Sequence, residues 1–333
     1  MLATLKKNKW LYLAAAAFVL ILILLPTQLL VQKTNVLTLI GIYTMVTVGL
    51  CLLMGYTGQA SLGQAAFFGT GAYLYAILST AHHVNPWLAM LIAAMATGVF
   101  AYIIGFPILR LRGNYLAMAT LGLGIIMWIL FTQLGQYTGG PDGLQRSADF
   151  SIGGFAFNNS LRRYSLVWFF TVCVLLISLN IVRSRTGRAL RAIHSSEAAA
   201  ESVGVNASGF KLKIFVLGAV YASLAGSLYA NLRAIGPGSF DFMASVMVVT
   251  MASVGGLASV WGAIFGATTI TYISQVALAD LGQRYHRLAG LDAIMYGLIL
   301  MLVMIFLPKG LFVSLRDAVN SWRQRRAQRR EGI

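Results

Sequence analysis

Charge is scarce in this sequence, and negative charge most of all. Its 333 residues hold 9 Asp and Glu against 25 Lys and Arg, and charged residues of both signs reach only 10%, well under the roughly 25% of a soluble globular domain. A surface wetted on all sides is thereby excluded. Cysteine is nearly absent. Cys51 and Cys173 both fall inside apolar runs, where a thiol behaves as a small apolar side chain, so neither a disulfide framework nor a thiolate metal cluster is implied. The pair His82 and His83 has no further Cys, His or carboxylate at ligand spacing and reads as a solvated turn, so no metal site is expected.

Two further absences bear on energy. All the acidic residues fall in loops or at the ends of apolar runs, and no Lys or Arg interrupts the middle of one. Proton- and sodium-driven carriers place ionisable groups inside the membrane to carry the coupling ion, so a coupling site of this chain's own is not expected. The phosphate-cradling pattern Gly-x4-Gly-Lys-[Ser/Thr] is missing as well, since none of the 7 lysines follows a glycine. If transport is active, its energy arrives from another protein. Paired carboxylates, a nucleophile with its base and a metal set are also lacking, which argues against a membrane enzyme.

What the chain has is apolar length. Hydrophobic residues make up 58%, and a bilayer-spanning helix needs about 20 of them in succession. About ten such runs are expected: 10–30, 35–54, a third ending near 79, 87–106, 115–134, 164–182, 212–232, two within 242–279 separated by "GGLASVWG", and 291–307. The first follows Lys6, Lys7 and Lys9 but lacks a small-x-small cleavage site, so it reads as a retained span and not a signal peptide. The expected fold is all-α, a polytopic membrane protein. Residues 1–9 form a cytoplasmic N-terminus and 10–308 a transmembrane domain. That domain carries an outer loop at 135–163 and a cytoplasmic loop at 184–211, and 309–333 is a basic tail.

Cytoplasmic loops carry the excess of Lys and Arg. With the N-terminus inside, 18 of the 25 basic residues fall on the cytoplasmic side, and both termini are expected there. The +16 net charge therefore follows from topology, and no nucleic-acid partner is expected. The tail "RQRRAQRR" suits contact with anionic lipid headgroups.

Three stretches stand out. In "HSSEAAAESVGVN" a polar segment interrupts the apolar chain, and two short helices are expected at the cytoplasmic surface. Ser195 or Ser196 caps the second helix, Glu197 stands in its first turn, and Gly204 stops it. Ala198, Ala199 and Ala200 leave one side nearly smooth, open to the groove of another protein. The second stretch, "GYTGQASLGQ", breaks a span at Gly55, Gly58 and Gly63, with Gln59, Ser61 and Gln64 polar but uncharged between and beside them. Broken helices are tolerated where the freed backbone lines a cavity; glycines equally serve close helix packing, and both readings stand. The third, Gly255 and Gly256 through Ser259, echoes the second and suits a partner gate. Outside, "TGGPDGLQ" makes a rigid turn, either a seat for a delivering protein or ordinary loop punctuation.

Glu197-Ala198-Ala199 followed by Gly204 resembles the "EAA" loop by which permease subunits of ATP-binding-cassette (ABC) importers dock on their ATPases. In that family the glycine usually stands four residues after the second alanine; here it stands five after Ala199. "GYTGQASLGQAAFFGTGAY", "LRLRGNYLAMATLGLG", "TGGPDGL", "RSRTGRALRAI", "SVGGLASVWGAIFGA" and "IFLPKGLF" are, in order along the chain, similar to LivM-type permeases of branched-chain amino acid importers. The resemblance implies the ABC importer permease fold in the inner membrane. It implies as partners a LivH-type permease, two ABC ATPase subunits that bind ATP and Mg, and an extracytoplasmic solute-binding protein. No cofactor is implied in this chain itself. It places Arg188, Arg191, Glu197, Ala198, Ala199, Glu201 and Gly204 at the ATPase-docking surface. Leucine, isoleucine and valine are the first expected cargo, with urea, short amides and aromatic acids as alternatives within the class and a stand-alone carrier as the rival outside it. Replacing Glu197 by arginine is expected to leave folding and insertion intact and to uncouple ATP hydrolysis from uptake.

Overall fold

A computed structural model describes residues 31–278 other than 112, 153 and 154, together with 298, 301, 302 and 305. The expected spans at 10–30 and 291–307 and the basic tail lie outside the described residues, apart from isolated positions. Among those described, six helices are long and apolar enough to cross a membrane: Thr34–Gly55, Pro86–Ile108, Asn114–Gln133, Ser160–Arg183, Ala207–Leu232 and Pro237–Gly255. Among the described residues the fold is all-α apart from one two-stranded hairpin, Ser151–Ile152 with Phe155–Ala156.

The first described helix, α1 (Val31–Leu50), runs on into a wider π-helical turn at Cys51–Gly55. Its threonines are buried without cost to the fold, because Thr38, Thr44 and Thr47 each donate to the carbonyl four residues back. Next comes α2 (Gln64–Ala76), followed by α3 (Pro86–Ile108) and α4 (Asn114–Gln133). Asn85 starts α3 by accepting from the Trp87 N–H at 3.0 Å, with Pro86 at the position where its missing N–H is harmless. A long loop leads to α5 (Ser160–Arg183), the short pair α6 (Arg185–Ser195) and α7 (Glu197–Ser202), the long α8 (Ala207–Leu232), and the hairpin of α9 (Phe242–Gly255) and α10 (Val260–Tyr272).

The centre of the bundle is α2 against α8. A Cβ on Gly71 would fall 2.3 Å from the Ser223 Cα, and one on Gly226 would fall 2.1 Å from the Phe68 carbonyl oxygen. Only hydrogen fits at these positions, so the two backbones touch as membrane helices do at small residues. The third and ninth expected spans are helices, α2 and α10, and neither is among the six membrane-length helices of the described residues. Nearly all of α2 is buried against its neighbours, so it needs no lipid-compatible shell. In contrast, α3 and α4 expose apolar faces that include Leu91, Met95, Ile103, Met118 and Ile126, as lipid contact requires.

The loop between α4 and α5 is folded down rather than free. Leu144 and Ile235 exchange backbone hydrogen bonds of 2.8 and 2.9 Å, the Tyr75 hydroxyl donates to the Ala148 carbonyl at 3.0 Å, and Phe150 stacks on Tyr75. Gly143, at φ +72°, is clamped so closely that a Cβ would meet the Ile235 carbonyl oxygen at 2.1 Å. The "GGPDG" turn is therefore a fixed surface feature.

Candidate functional site

The first break begins where α1 stops. Gly58 takes the left-handed conformation, φ +71°, and its N–H caps the helix by donating to the Met54 carbonyl at 3.1 Å. From here to Gly63 the chain is irregular, so its backbone groups need partners from elsewhere. The Thr120 hydroxyl on α4 accepts from the Leu62 N–H at 3.0 Å, and Ser245 on α9 accepts from the Ala65 N–H at 3.3 Å. Ser61 is buried and its hydroxyl accepts from the Gly63 N–H at 3.4 Å. Gln64 is buried too, yet its Oε1 lacks a hydrogen-bond partner, as does the Oε1 of Gln59. Two amides thus present carbonyl acceptors inside the protein with nothing to accept from. Thr120 is expected to hold the break in shape: Thr120→Val strands the Leu62 N–H at a cost of about 1–3 kcal/mol. Thermal unfolding in detergent should show a lowered midpoint for Thr120→Val, restored by Thr120→Ser.

The second break joins α9 to α10. Gly256 sits at φ +99°, and Ser259 caps α10 by accepting from the Gly262 N–H at 3.0 Å. Gly255 and Gly262 are in backbone contact across the turn, a Cβ on the former falling 2.0 Å from the latter's carbonyl oxygen. Ser259, expected to line a gate, serves as a helix cap.

The fold presses the two breaks together. A Cβ on Gly55 would lie 1.9 Å from the Leu257 carbonyl oxygen, and the Tyr56 hydroxyl meets the Val260 backbone while feeling the charge of Arg191. The short pair α6–α7 closes the junction: a Cβ on Gly58 would stand 2.8 Å from His194 Nδ1, near the end of α6. Gly55, Gly58, the 255–259 turn and α6 therefore form one contact. Leu257, Tyr56 and His194 carried no sequence signal, because each is identified only by what lies across from it.

Within the pair, Ser196 is the cap of α7, accepting from the Ala199 N–H at 3.3 Å, while the Ser195 hydroxyl donates to the Arg191 carbonyl at 3.1 Å. Gly204 ends the helix at φ +84°. Ala198, Ala199, Glu201 and Gly204 are exposed, as are Arg188 and Arg191. Ala200 is not part of that open face: it is buried with Ile193 and Ala207, which seats α7 on the fold. Glu197 turns inward as well. Its carboxylate lies 2.7 Å from Lys211 Nζ, and the Lys211 side chain is 4% exposed against 27% for Glu197. Lys211 belongs to α8, which begins at Ala207, earlier than the expected 212. The pair is thus a strut between the short helices α6–α7 and the central helix α8.

The described residues thus form a helical membrane bundle whose glycine-broken helices meet against a short polar helix pair. The chain belongs to the family described as "Branched-chain amino acid transport system / permease component", which matches residues 33–308. Among its relatives is the high-affinity branched-chain amino acid transport system permease protein LivM of Escherichia coli K12, 29% identical over 86% of this chain and 71% of that protein. The corresponding protein BraD of Pseudomonas aeruginosa is 26% identical over 84% and 94%. LivH of Escherichia coli K12 is 25% identical over 84% and 94%. The protein is a multi-pass membrane permease.

Proposed function

We propose that the chain is the LivM-like half of an ABC importer that carries leucine, isoleucine and valine across the inner membrane, with both termini cytoplasmic. A LivH-type permease completes the pore, two ABC ATPase subunits holding ATP and Mg dock beneath it, and a solute-binding protein delivers cargo from outside. The observation that carries this reading is the junction of Gly58 with His194 and of Gly55 with Leu257. A push on the α6–α7 pair reaches both glycine breaks through direct contact, with no intervening flexible segment. The exposed face of Ala198, Ala199 and Glu201, flanked by Arg188 and Arg191, is where the ATPase would seat.

The cargo follows from the chemistry of the path. Among the described residues, the buried polar side chains are uncharged apart from Lys211, which Glu197 neutralises, and this suits a net-neutral zwitterion. The unpartnered Oε1 atoms of Gln59 and Gln64 are acceptors suited to an ammonium group on its way through. Gln64→Leu should raise the KM for leucine uptake about tenfold or more, the worth of a hydrogen bond to a charged group, with the amount of protein in the membrane unchanged. Topology is checked separately. Val203, 76% exposed beside Gly204, replaced by cysteine should react with a membrane-impermeant maleimide in inside-out vesicles and not in right-side-out cells.

The decisive experiment is co-purification from native membranes in mild detergent, followed by ATPase assays with loaded binding proteins. Two ATPases and a second permease recovered together, with hydrolysis stimulated by a leucine-loaded binding protein, are expected. This chain recovered alone and still active in uptake would instead identify a self-contained carrier.

A further inference from the structure

At the far end of α8 from the docking pair, three arginines converge on one pocket. Its volume is about 170 Å³, and its walls are Asn35 near the start of α1, Arg146 of the outer loop, Ser160 and Arg163 of the first turn of α5, and Leu232 and Arg233 at the end of α8. Arg146 pairs with Asp149 at 2.9 Å, and Asn231 Nδ2 also donates to that carboxylate, at 3.4 Å. Arg163 donates through Nη2 to the Asn158 carbonyl at 2.9 Å, while its Nε is buried and has no hydrogen-bond partner. Arg233 reaches Gln275 Oε1 at 3.3 Å. Among the described residues, Asp149 pairs with Arg146 alone, its charge also reaches Arg163, and Arg146 and Arg163 are close enough to repel.

Clustered cations with a desolvated, unused N–H call for an oxyanion. The pocket's shape and place narrow the source. Leu232 is its single apolar wall, so a branched-chain cargo would find no seat for its side chain. Three helix ends frame it, those of α1, α5 and α8, and two of the three, α1 and α8, belong to the most enclosed of the six membrane-length helices. On that side the pocket is walled by the bundle and not by lipid. The loop that supplies Arg146 is pinned there by the Ser147 N–H, which donates to the Ala230 carbonyl at 3.1 Å, and by Asn231 Nδ2, which donates to the Ala148 carbonyl at 2.9 Å. A rigid positive socket there matches an acidic side chain arriving on a protein.

We propose that this pocket receives a carboxylate side chain of the solute-binding protein, which seats among Arg146, Arg163 and Arg233 and fixes the orientation in which cargo is released. The proposal rests on the importer reading given above. Its role is recognition, so it governs affinity for the delivering protein and leaves the ATPase cycle itself intact.

The test uses the whole importer in lipid nanodiscs and its co-purified binding protein, with affinity read by interferometry across a salt series. Arg163→Gln and Arg233→Gln should each weaken binding about tenfold or more and flatten its salt dependence, since charge pairing at an interface is both strong and screened. Stimulated hydrolysis at saturating binding protein should stay at the wild-type level, which shows that the variants fold. Arg163→Lys, which keeps the charge, should recover part of the affinity. Unchanged affinity and salt slope in both Gln variants would overturn the socket while leaving the importer intact. Normal docking with loss of co-purifying phospholipid phosphate would make the pocket a lipid site and overturn the proposal likewise. A wild-type complex that neither binds nor responds to the binding protein would remove the importer reading itself.

Discussion

Gly55→Val should abolish uptake, with a loss of at least about a hundredfold in proteoliposomes, while the chain still inserts. The reason is that its Cβ would have to occupy space 1.9 Å from the Leu257 carbonyl oxygen, a backbone atom that cannot swing aside. Relief requires the two breaks to part by more than an ångström, and forcing extra carbon into a packed site typically costs about 1–3 kcal/mol even where side chains can yield. Because the junction also touches His194 through Gly58, hydrolysis should continue without transport. Gly238→Ala is the matched control, since nothing lies within 4 Å of the Cβ it adds; its uptake should equal wild type. Wild-type uptake in Gly55→Val would mean that the two breaks are apart throughout the transport cycle and that their contact carries no motion.

The second large effect concerns Glu197 and Lys211. Removing one member of a buried ion pair strands the other, at about 3–5 kcal/mol; with the Glu197 side chain still 27% exposed, the lower end applies. Glu197→Ala should therefore loosen α7 from α8, speed amide exchange across 197–204, and lower the amount of leucine carried per ATP. Glu197→Arg should be worse, because it sets a second cation against a lysine that is already buried. The sequence-based expectation that this change spares the fold and severs only an ATPase contact is revised accordingly: the inward-facing carboxylate makes the local fold the first casualty. The exchanged pair Glu197→Lys with Lys211→Glu should recover much of the coupling. Undisturbed amide exchange and a normal transport-to-hydrolysis ratio in Glu197→Ala would rule out the strut.

Much of the site could be read from the chain alone. The cap at Ser196, the stop at Gly204 and the breaks at Gly58 and Gly256 all follow from local chemistry: a hydroxyl that satisfies helix N–H groups, and glycines that accept positive φ. Local signals of this kind survive in any tertiary setting. What escaped were facing relations. Nothing in "AESVGVNASGFKLK" says that Lys211 turns inward to Glu197. Nor does Ala200 differ from Ala198 in sequence, although one is buried and the other exposed. Likewise the helix α2 reads as one more span, while its burial on nearly every side makes it the axle of the bundle.

The sequence by itself determined that this is a helical membrane permease, where its helices break, and on which loop a short capped pair forms. Each of these depends on composition, apolar length or a residue's own backbone preferences. The tertiary structure decided that the two breaks press on each other, that α6 touches them, that Glu197 is a strut, and that three arginines from distant segments share one pocket. These rest on contacts between segments up to some two hundred residues apart, such as Gly55 with Leu257, and packing alone selects which small or polar residues meet there.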